Sequence, residues 1–286
     1  MAARLARAAP AVYAASREHA GPLLRARELE HRQMASIAVL GATGSLGRHV
    51  ASQTLAQGWH LSVAVRNRGR LLPEVSARAQ VTDLDLASAT TTQLASFAAG
   101  HDAFVSCAGV VTEGEAFVRL VDKVVTALES LPSDTRPVCW FLAGAALLPL
   151  DSTGRLGVDL PKVRGTYWPH RKNHERLQRS ALDWRLLCPG PMVEQPAVGL
   201  HRLRVSIDSL PAPLPAVARS LPAPLLLPLF AMRIPEMIIP YADAASVILA
   251  NVAPGGPMSR RRVGVALPVG MKGRKSEWAA QPRHAA

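Results

Sequence analysis

Three regularly spaced glycines form the segment of this sequence with the clearest chemical use. Gly41, Gly44 and Gly47 follow the apolar run Ser36–Leu40 and open a segment of helical spacing, Ser45–Gln57. In such a turn the first glycine permits a sharp corner, the second lets a phosphate approach, and the third lets the helix pack closely. The first helical amides and the helix dipole then favour an anion. We predict a pyrophosphate-binding turn, with a purely structural corner as the alternative; its binding residues are Gly41, Thr43, Gly44, Ser45, Leu46 and Gly47.

A dinucleotide bound at this turn reaches the end of the next strand with its adenosine ribose. Chains that bind NAD usually place Asp or Glu there. This chain has Arg66 and Arg68 after His60–Val65, with no acidic residue before Glu74. A guanidinium pairs with a 2′-phosphate through its planar fork. We therefore predict NADP(H) in preference to NAD(H), with Arg66 as the main contact and Arg68 assisting. A solvated basic loop is the alternative.

Further cofactor contacts are predicted at the ends of later strands. Asp83 follows the third strand and either reaches the adenine amino group or forms a turn. Small residues after the fourth and fifth strands leave room for the ribose and the nicotinamide, and the turn after the sixth passes nearby. These contacts are Cys107, Ala108, Gly109, Ala143 and Pro189.

Short apolar runs alternate with helix-like segments from Ser36 onward. The runs lack the alternation of half-exposed strands, which indicates strands covered on both faces. The predicted strands are Ser36–Leu40, His60–Val65, Gln80–Thr82, Ala103–Cys107, Pro137–Leu142, Trp184–Cys188 and Arg261–Pro268, and the main helices are Ser45–Gln57, Thr91–Ala99, Glu115–Leu128 and His170–Ser180. This order predicts an α/β fold, a Rossmann-type doubly wound parallel sheet that binds ligands outside the carboxyl ends of its strands.

Residues 189–240 differ from the rest of the chain because they are rich in proline. Prolines at this density break long helices, so we predict an irregular apolar lid with one or two short helices over the ligand edge. Within it, residues 221–234 lack a clear polar face, and peripheral membrane contact is the alternative. No apolar run is long enough to predict a transmembrane span.

The formal net charge of +12 is concentrated at the two ends. Residues 1–33 have six Arg against three Glu, and residues 259–286 have seven Lys and Arg against one Glu. The small excess between them disfavours nucleic acid as a partner. We predict a disordered or targeting-like extension over 1–33, one dinucleotide-binding domain over 34–268, and a solvated basic tail over 269–286. The three scattered cysteines indicate a reducing cytoplasm, or an organelle if the extension is a transit peptide.

With these residues placed, the chain resembles the atypical short-chain dehydrogenases/reductases. The NAD(P)H-binding, NmrA-like and biliverdin/flavin reductase B-like members are the most similar. The resemblance rests on GATGSLG (residues 41–47) with Arg66, on the order of the strands, and on HRKNHERLQRSALDWRLLCPGPM (residues 170–192). It implies a Rossmann fold and a nicotinamide dinucleotide.

The resemblance also implies a catalytic pattern from which this sequence departs. Typical members use Tyr-x-x-x-Lys, in which the Lys lowers the pKa of the Tyr, and a Ser at the end of the fifth strand. Here Tyr167 is followed four residues later by Arg171, Lys172 is one position late, and the fifth strand ends in Ala-Gly-Ala. Because Pro169 intervenes, we expect Tyr167 to precede the helix.

His170 is the second candidate, since the resemblance places a His at the start of this helix. It would donate a proton or orient a substrate beside the nicotinamide. A polar helix-face role is the alternative for His170 and for His174, four residues later. That spacing suits a metal pair, but no third ligand has matching spacing, so no metal is predicted. The catalytic candidates are thus His170 and Tyr167.

The function predicted from these residues is an NADP(H)-binding oxidoreductase with a small, apolar substrate. A quinone- or flavin-like acceptor needs little acid–base chemistry, because the cofactor supplies the hydride. A non-catalytic NADP(H)-binding redox sensor or scaffold is the alternative, favoured by the missing Ser and Lys. The same absence disfavours a nucleotide-sugar epimerase.

Overall fold

The computed structural model describes residues 35–274, and a large sheet runs through their centre. The strands are β1 Ser36–Leu40, β2 His60–Val65, β3 Gln80–Asp83, β4 Ala103–Ser106, β5 Val138–Leu142, β6 Trp184–Cys188, β7 Met192–Val193, β8 Arg204–Ile207, β9 Ile239–Pro240 and β10 Arg261–Ala266. Eight of them form one sheet in the order β3-β2-β1-β4-β5-β6-β10-β8, and β7 pairs with β9. All neighbours in the large sheet are parallel except β8 and β10. The doubly wound α/β prediction is confirmed.

Helices cover both faces of this sheet. They are α1 Ser45–Ala56, α2 Pro73–Arg78, α3 Thr91–Ala98, α4 Glu115–Glu129, α5 Arg164–Gln178, α6 Ala223–Arg233 and α7 Tyr241–Leu249. On one face α1 packs against α7, and on the other α4 lies between α3 and α5. Each face has its own apolar core, as expected when strands are covered on both sides.

Local sequence explains where these elements lie. The β1 residues Ile37 to Leu40 are fully buried, which accounts for their continuous apolar character. Helix α3 begins with a reciprocal cap: Gln93 N donates to Thr90 Oγ1 at 3.2 Å, and Thr90 N donates to Gln93 Oε1 at 2.9 Å. The first six predicted strands agree with the observed ones to within one residue.

The proline-rich segment is more regular than predicted. Its residues Arg204–Ile207 form β8, a strand that the sequence did not predict, which joins the edge of the main sheet antiparallel to β10. Helix α6 packs on the core through Leu226 and Phe230, while Leu225 and Met232 on it are more than half exposed. Within residues 35–274, no helix is long and apolar enough to cross a membrane.

Arg155 fastens this segment to the loop after β5. Its guanidinium donates to Leu221 O at 2.6 Å and Ala218 O at 2.8 Å, and it forms an ion pair with Asp151. Charge-assisted bonds of this kind are stronger than neutral ones. They hold the turn that precedes α6 against the domain.

Arg185 provides a second internal fastening, in the middle of the sheet. Although β6 buries it to 1% exposure, its guanidinium donates to Ala253 O and Gly255 O, each at 2.6 Å, and also to Asn251 O. Burial lowers the pKa of Arg185, while three carbonyls and Asp183 at 3.5 Å surround its charge; its Nε has no hydrogen-bond partner within residues 35–274. This residue ties the loop after α7 to the sheet.

The sequence predicts an extension at each end of the chain. Residues 1–33 and the end of the predicted tail lie outside the described residues. The described part of that tail contacts the domain, since Gly273 N donates to Pro235 O at 2.8 Å. The sequence groups Arg260–Arg262 with a solvated end, but Arg261 and Arg262 begin β10 and Arg260 directly precedes it.

Candidate functional site

The glycine turn lies where the sheet changes winding direction. Gly41 has a φ of +77°, a left-handed conformation that favours glycine, and a Cβ there would lie 2.9 Å from Ala108 N and Cys107 O. Its carbonyl accepts a hydrogen bond from Gly44 N at 3.0 Å. The ends of β1 and β4 therefore approach each other too closely for any other residue type.

Gly47 brings the helix against this turn. A Cβ on Gly47 would lie 2.0 Å from Gly41 O, which no real contact allows. Gly44, at the N-cap position, is exposed, and no side chain within residues 35–274 caps the helix start. The first turn also lacks acidic residues, so its free amides and positive dipole end face outward. This cradle fits a pyrophosphate.

The other predicted turn residues take their places around the same cradle. Thr43 and Ser45 are half-buried beside Gly44, and Leu46 is buried and packs in the core under α1. The backbone at these positions is thus held by packing and remains accessible at the outer edge. Such an arrangement suits recognition through backbone amides.

Arg66 follows β2 at the same edge of the sheet and is exposed. No ion pair or side-chain hydrogen bond engages its guanidinium within residues 35–274. It is therefore a free cation next to the predicted position of the adenosine ribose. Arg68 differs from it in this respect.

Arg68 and Asp83 form a bidentate pair with each other. Arg68 Nε donates to Asp83 Oδ1 at 2.7 Å and Nη2 donates to Oδ2 at 2.9 Å. Hydrogen bonds from Arg68 lower the pKa of the Asp83 carboxyl. Asp83 faces solvent with both oxygens occupied, and Arg68 is committed to it rather than assisting Arg66.

The ends of β4, β5 and β6 meet at this edge as predicted. Cys107 N donates to Leu40 O at 2.9 Å, and Ala143 N donates to Leu187 O at 2.8 Å. Pro189 O accepts from Ala145 N at 2.7 Å. Ala108 is half-buried, and Gly109 is exposed with a φ of +93°. Burial raises the pKa of the Cys107 thiol to about 12, so this position is uncharged at neutral pH.

His170 lies below the end of β5, in an aromatic environment. The residue is 6% exposed, and its Nε2 lies 3.5 Å from the position that a Cβ on Gly144 would occupy. Phe117 meets it edge-on at 5.9 Å between ring centroids, and Tyr167 stacks on it at 6.0 Å. Burial lowers its pKa from 6.5 to about 4. His170 is therefore a neutral imidazole at physiological pH, in which one ring nitrogen can donate a hydrogen bond and the other can accept one.

Tyr167 lies inside helix α5, which corrects the expectation that it precedes the helix. The helix begins at Arg164 and accommodates Pro169, whose missing amide costs one bond near the first turn. Tyr167 is half-buried against His170. Arg171, four residues on, pairs with Asp159 and with Glu175 at 3.4 Å. Arg171, which occupies the position of the Lys in the Tyr-x-x-x-Lys pattern, therefore pairs with carboxylates and not with Tyr167.

One buried polar residue of this region, Asn173, was missed from sequence. Asn173 is 3% exposed, and neither its Nδ2 nor its Oδ1 has a partner within residues 35–274. Its position three residues after His170 on one helix was the available signal. Asp243 is fully buried and accepts from Val198 N at 2.8 Å and Gly199 N at 2.9 Å. It holds the segment after β7 against α7.

His174 does not join His170 in a shared site. It lies against Trp184, with ring centroids 5.7 Å apart, near the opposite edge of the sheet. Among residues 35–274, no group of three or more His, Cys, Asp or Glu side chains is arranged to hold a metal. The three cysteines in this range are free thiols.

Comparisons with known proteins agree with this geometry. Residues 41–212 match the family described as NAD(P)H-binding. No curated protein is significantly similar to the chain.

Solved structures with the same fold come from several bacteria. A proposed NADH-flavin reductase from Streptococcus pneumoniae is 16% identical, with 82% of this chain and 99% of that chain covered and a TM-score of 0.60. A Rossmann-fold NAD(P)-binding family protein from Shigella flexneri is 15% identical, with 86% and 98% covered and a TM-score of 0.56. A short-chain dehydrogenase/reductase (wide type) from Veillonella parvula, in complex with NADP, is 15% identical, with 82% and 95% covered and a TM-score of 0.58. At these identities the similarity is one of fold.

Proposed function

Because the chain belongs to the NAD(P)H-binding family, we propose that it is an NADP(H)-dependent oxidoreductase that reduces an apolar, quinone- or flavin-like acceptor. The observation that carries the cofactor preference is the exposed, unpaired Arg66 at the end of β2. A 2′-phosphate would pair with its guanidinium. The Veillonella parvula structure contains NADP, which supports this choice.

In this proposal, residues at different strand ends bind different parts of the cofactor. The amides of Ser45 and Leu46 would hold the pyrophosphate, with Thr43 and the three motif glycines shaping the cradle. The small residues Cys107, Ala108, Gly109 and Ala143, with Pro189, would line the ribose and nicotinamide. When bound, the nicotinamide supplies a hydride. Because Arg68 bonds to both carboxylate oxygens of Asp83, we expect Asp83 to line the adenine side of the site without hydrogen-bonding to the adenine.

The acceptor class follows from the surroundings of His170. Phe117, Tyr167 and the neutral imidazole form an aromatic, uncharged environment at the end of β5. A planar acceptor would stack beside Tyr167, which is the half-buried ring of the three. Its reduced form would take a proton from water on leaving the site, so that no cationic acid is required. The name of the Streptococcus pneumoniae neighbour, a proposed NADH-flavin reductase, supports this class. In this proposal His170 and Tyr167 orient the acceptor, and the segment 189–240 excludes water.

A non-catalytic NADP(H)-binding sensor is the second candidate. It is favoured by the Ala143-Gly144-Ala145 end of β5, which offers no hydroxyl, and by the commitment of Arg171 to Asp159 and Glu175. The two candidates differ only in turnover.

The experiment that tests this proposal is a titration of the full chain with NADPH and NADH, followed by nicotinamide fluorescence. Arg66→Ala should weaken NADPH by about 10- to 100-fold and leave NADH unchanged, since one charge-assisted pair is lost. Arg70→Ala removes the same charge from an exposed neighbour and serves as the matched control. Equal binding of NADH and NADPH by the wild type would contradict the assignment of Arg66.

A panel of quinones and flavins then separates the two candidates. NADPH oxidation with any planar acceptor, reduced in His170→Leu, supports the oxidoreductase. Tight NADPH binding without turnover across the panel supports the sensor instead.

A further inference from the structure

A second cleft lies at the edge of the sheet opposite the glycine turn. Trp184 begins β6, Arg261 begins β10 parallel to it, and Asp208 follows the antiparallel β8, so all three reach the amino-end edge. The cleft has a volume of about 320 Å³ and is lined mainly by His174, Trp184, Asp208 and Arg260–Arg262. Hereafter we refer to it as the amino-end cleft. Its position makes it independent of the dinucleotide site.

The amino-end cleft contains more positive than negative charge. Asp208 accepts from Arg262 Nε and from Arg261 Nη1, both at 3.0 Å. Arg260 donates to the carbonyl of Gln178 at 3.3 Å and has no carboxylate partner within residues 35–274. One carboxylate thus faces three guanidiniums. Arg260 also adopts a φ of +57°, which residues with a side chain seldom do.

A buried donor in the wall of the cleft lacks an acceptor. Trp184 is 2% exposed, and its indole Nε1 has no hydrogen-bond partner within residues 35–274. An indole N–H can donate a hydrogen bond but cannot accept one, and leaving it unpaired in the interior raises the free energy of the folded state. An acceptor oxygen brought into the cleft would satisfy it. The guanidiniums of Arg260 and Arg261 would satisfy the charge of the same ligand.

We propose that the amino-end cleft binds a small phosphate-bearing dianion, held by Arg260 and Arg261 with the Trp184 indole as an additional donor. The excess of two positive charges matches a phosphate dianion, and guanidinium forks suit phosphate oxygens. The volume is at the lower end of that of ligand pockets, which suits inorganic phosphate or a small phosphate monoester. Arg262 has a structural role, since it also donates to Leu147 O at 2.9 Å.

His174 provides an internal reporter for this site. Burial, helped by the charge of Arg262, lowers the pKa of His174 from 6.5 to about 4, against the smaller opposing effects of Asp208 and Glu175. An anion bound in the cleft favours the protonated imidazole. Occupancy should therefore raise the pKa of His174 and shift its ring resonances.

The test is a titration of the full chain with inorganic phosphate and, separately, with glycerol 3-phosphate at constant ionic strength, followed by the His174 resonances and by calorimetry. Arg260→Ala and Arg261→Ala should each weaken binding about tenfold, and Trp184→Phe several-fold. Arg70→Ala is the matched control, because it removes an exposed guanidinium that lies outside the amino-end cleft and outside the proposed dinucleotide contacts. Tighter binding of the monoester identifies that class as the ligand, and equal binding identifies free phosphate.

Two outcomes would overturn the proposal. The first is an unchanged pKa of His174 at phosphate concentrations that saturate any binding detected by calorimetry. The second is phosphate binding that keeps its wild-type affinity in both Arg260→Ala and Arg261→Ala. The exposed positions of Arg260 and Arg261 make folding of both variants expected, and a urea unfolding curve for each verifies it.

Discussion

Replacing His170 with leucine should flatten the dependence of stability on pH in weakly acidic solution. In the unfolded chain this imidazole binds a proton near pH 6.5, whereas burial lowers the pKa in the folded protein to about 4. Between these values the unfolded state holds a proton that the folded state excludes. The contribution of the neutral His170 to the free energy of unfolding is therefore fully present above pH 6.5 and is lost as the pH falls toward 4.

The magnitude follows from the gap between the two pKa values. At 1.36 kcal/mol per pH unit, the gap corresponds to about 3 kcal/mol of unfolding free energy attributable to this one group. That is a large fraction of the stability of an ordinary domain, about 5–15 kcal/mol. Leucine occupies a similar space between Phe117 and Tyr167 but cannot bind a proton.

Urea unfolding at a series of pH values measures this effect. The packing change in His170→Leu shifts the free energy of unfolding at all pH values, whereas the loss of the titrating group changes its slope. His60→Leu, at the exposed start of β2, is the control and should keep the wild-type slope. His174 and several carboxylates contribute to the slope in both proteins, so the difference isolates His170. Parallel wild-type and His170→Leu profiles would refute the burial argument.

Two further predictions concern backbone approach and a buried charge. Gly47→Ala should cost about 1–3 kcal/mol of unfolding free energy and abolish NADPH binding, because its Cβ would lie 2.0 Å from Gly41 O. Calorimetry measures both effects. Gly165→Ala is the control, because nothing lies within contact distance of a Cβ at that position. Arg185→Met should cost about 3–5 kcal/mol in urea unfolding, because three carbonyls of the 251–255 loop lose their donor. A loss below about 1 kcal/mol would show that the loop carbonyls find other partners.

Several features of the fold could be predicted because their causes are local. Strand β1 is apolar from Ile37 to Leu40, since both of its faces are covered. The glycine spacing specifies a turn that other residues cannot adopt, and the position of Arg66 follows from the length of β2. The start of α5 was missed because Pro169 normally argues against a helix that has already begun. Helix α5 tolerates Pro169 because this residue lies near the amino end of the helix, which begins at Arg164.

The sequence by itself determined which side chains could meet a dinucleotide and at which strand ends they lie, because strand order and glycine geometry depend on short-range pattern. The pairing of Arg68 with Asp83 required the register of β2 on β3, in which Val65 lies beside Asp83. The burial of His170 required α4 and the end of β5 to close around it. The amino-end cleft required β8 to return antiparallel to β10, which brings Asp208 to Arg261 and Arg262 across 54 residues or fewer. Such contacts between distant segments depend on packing, and only the tertiary structure decides them.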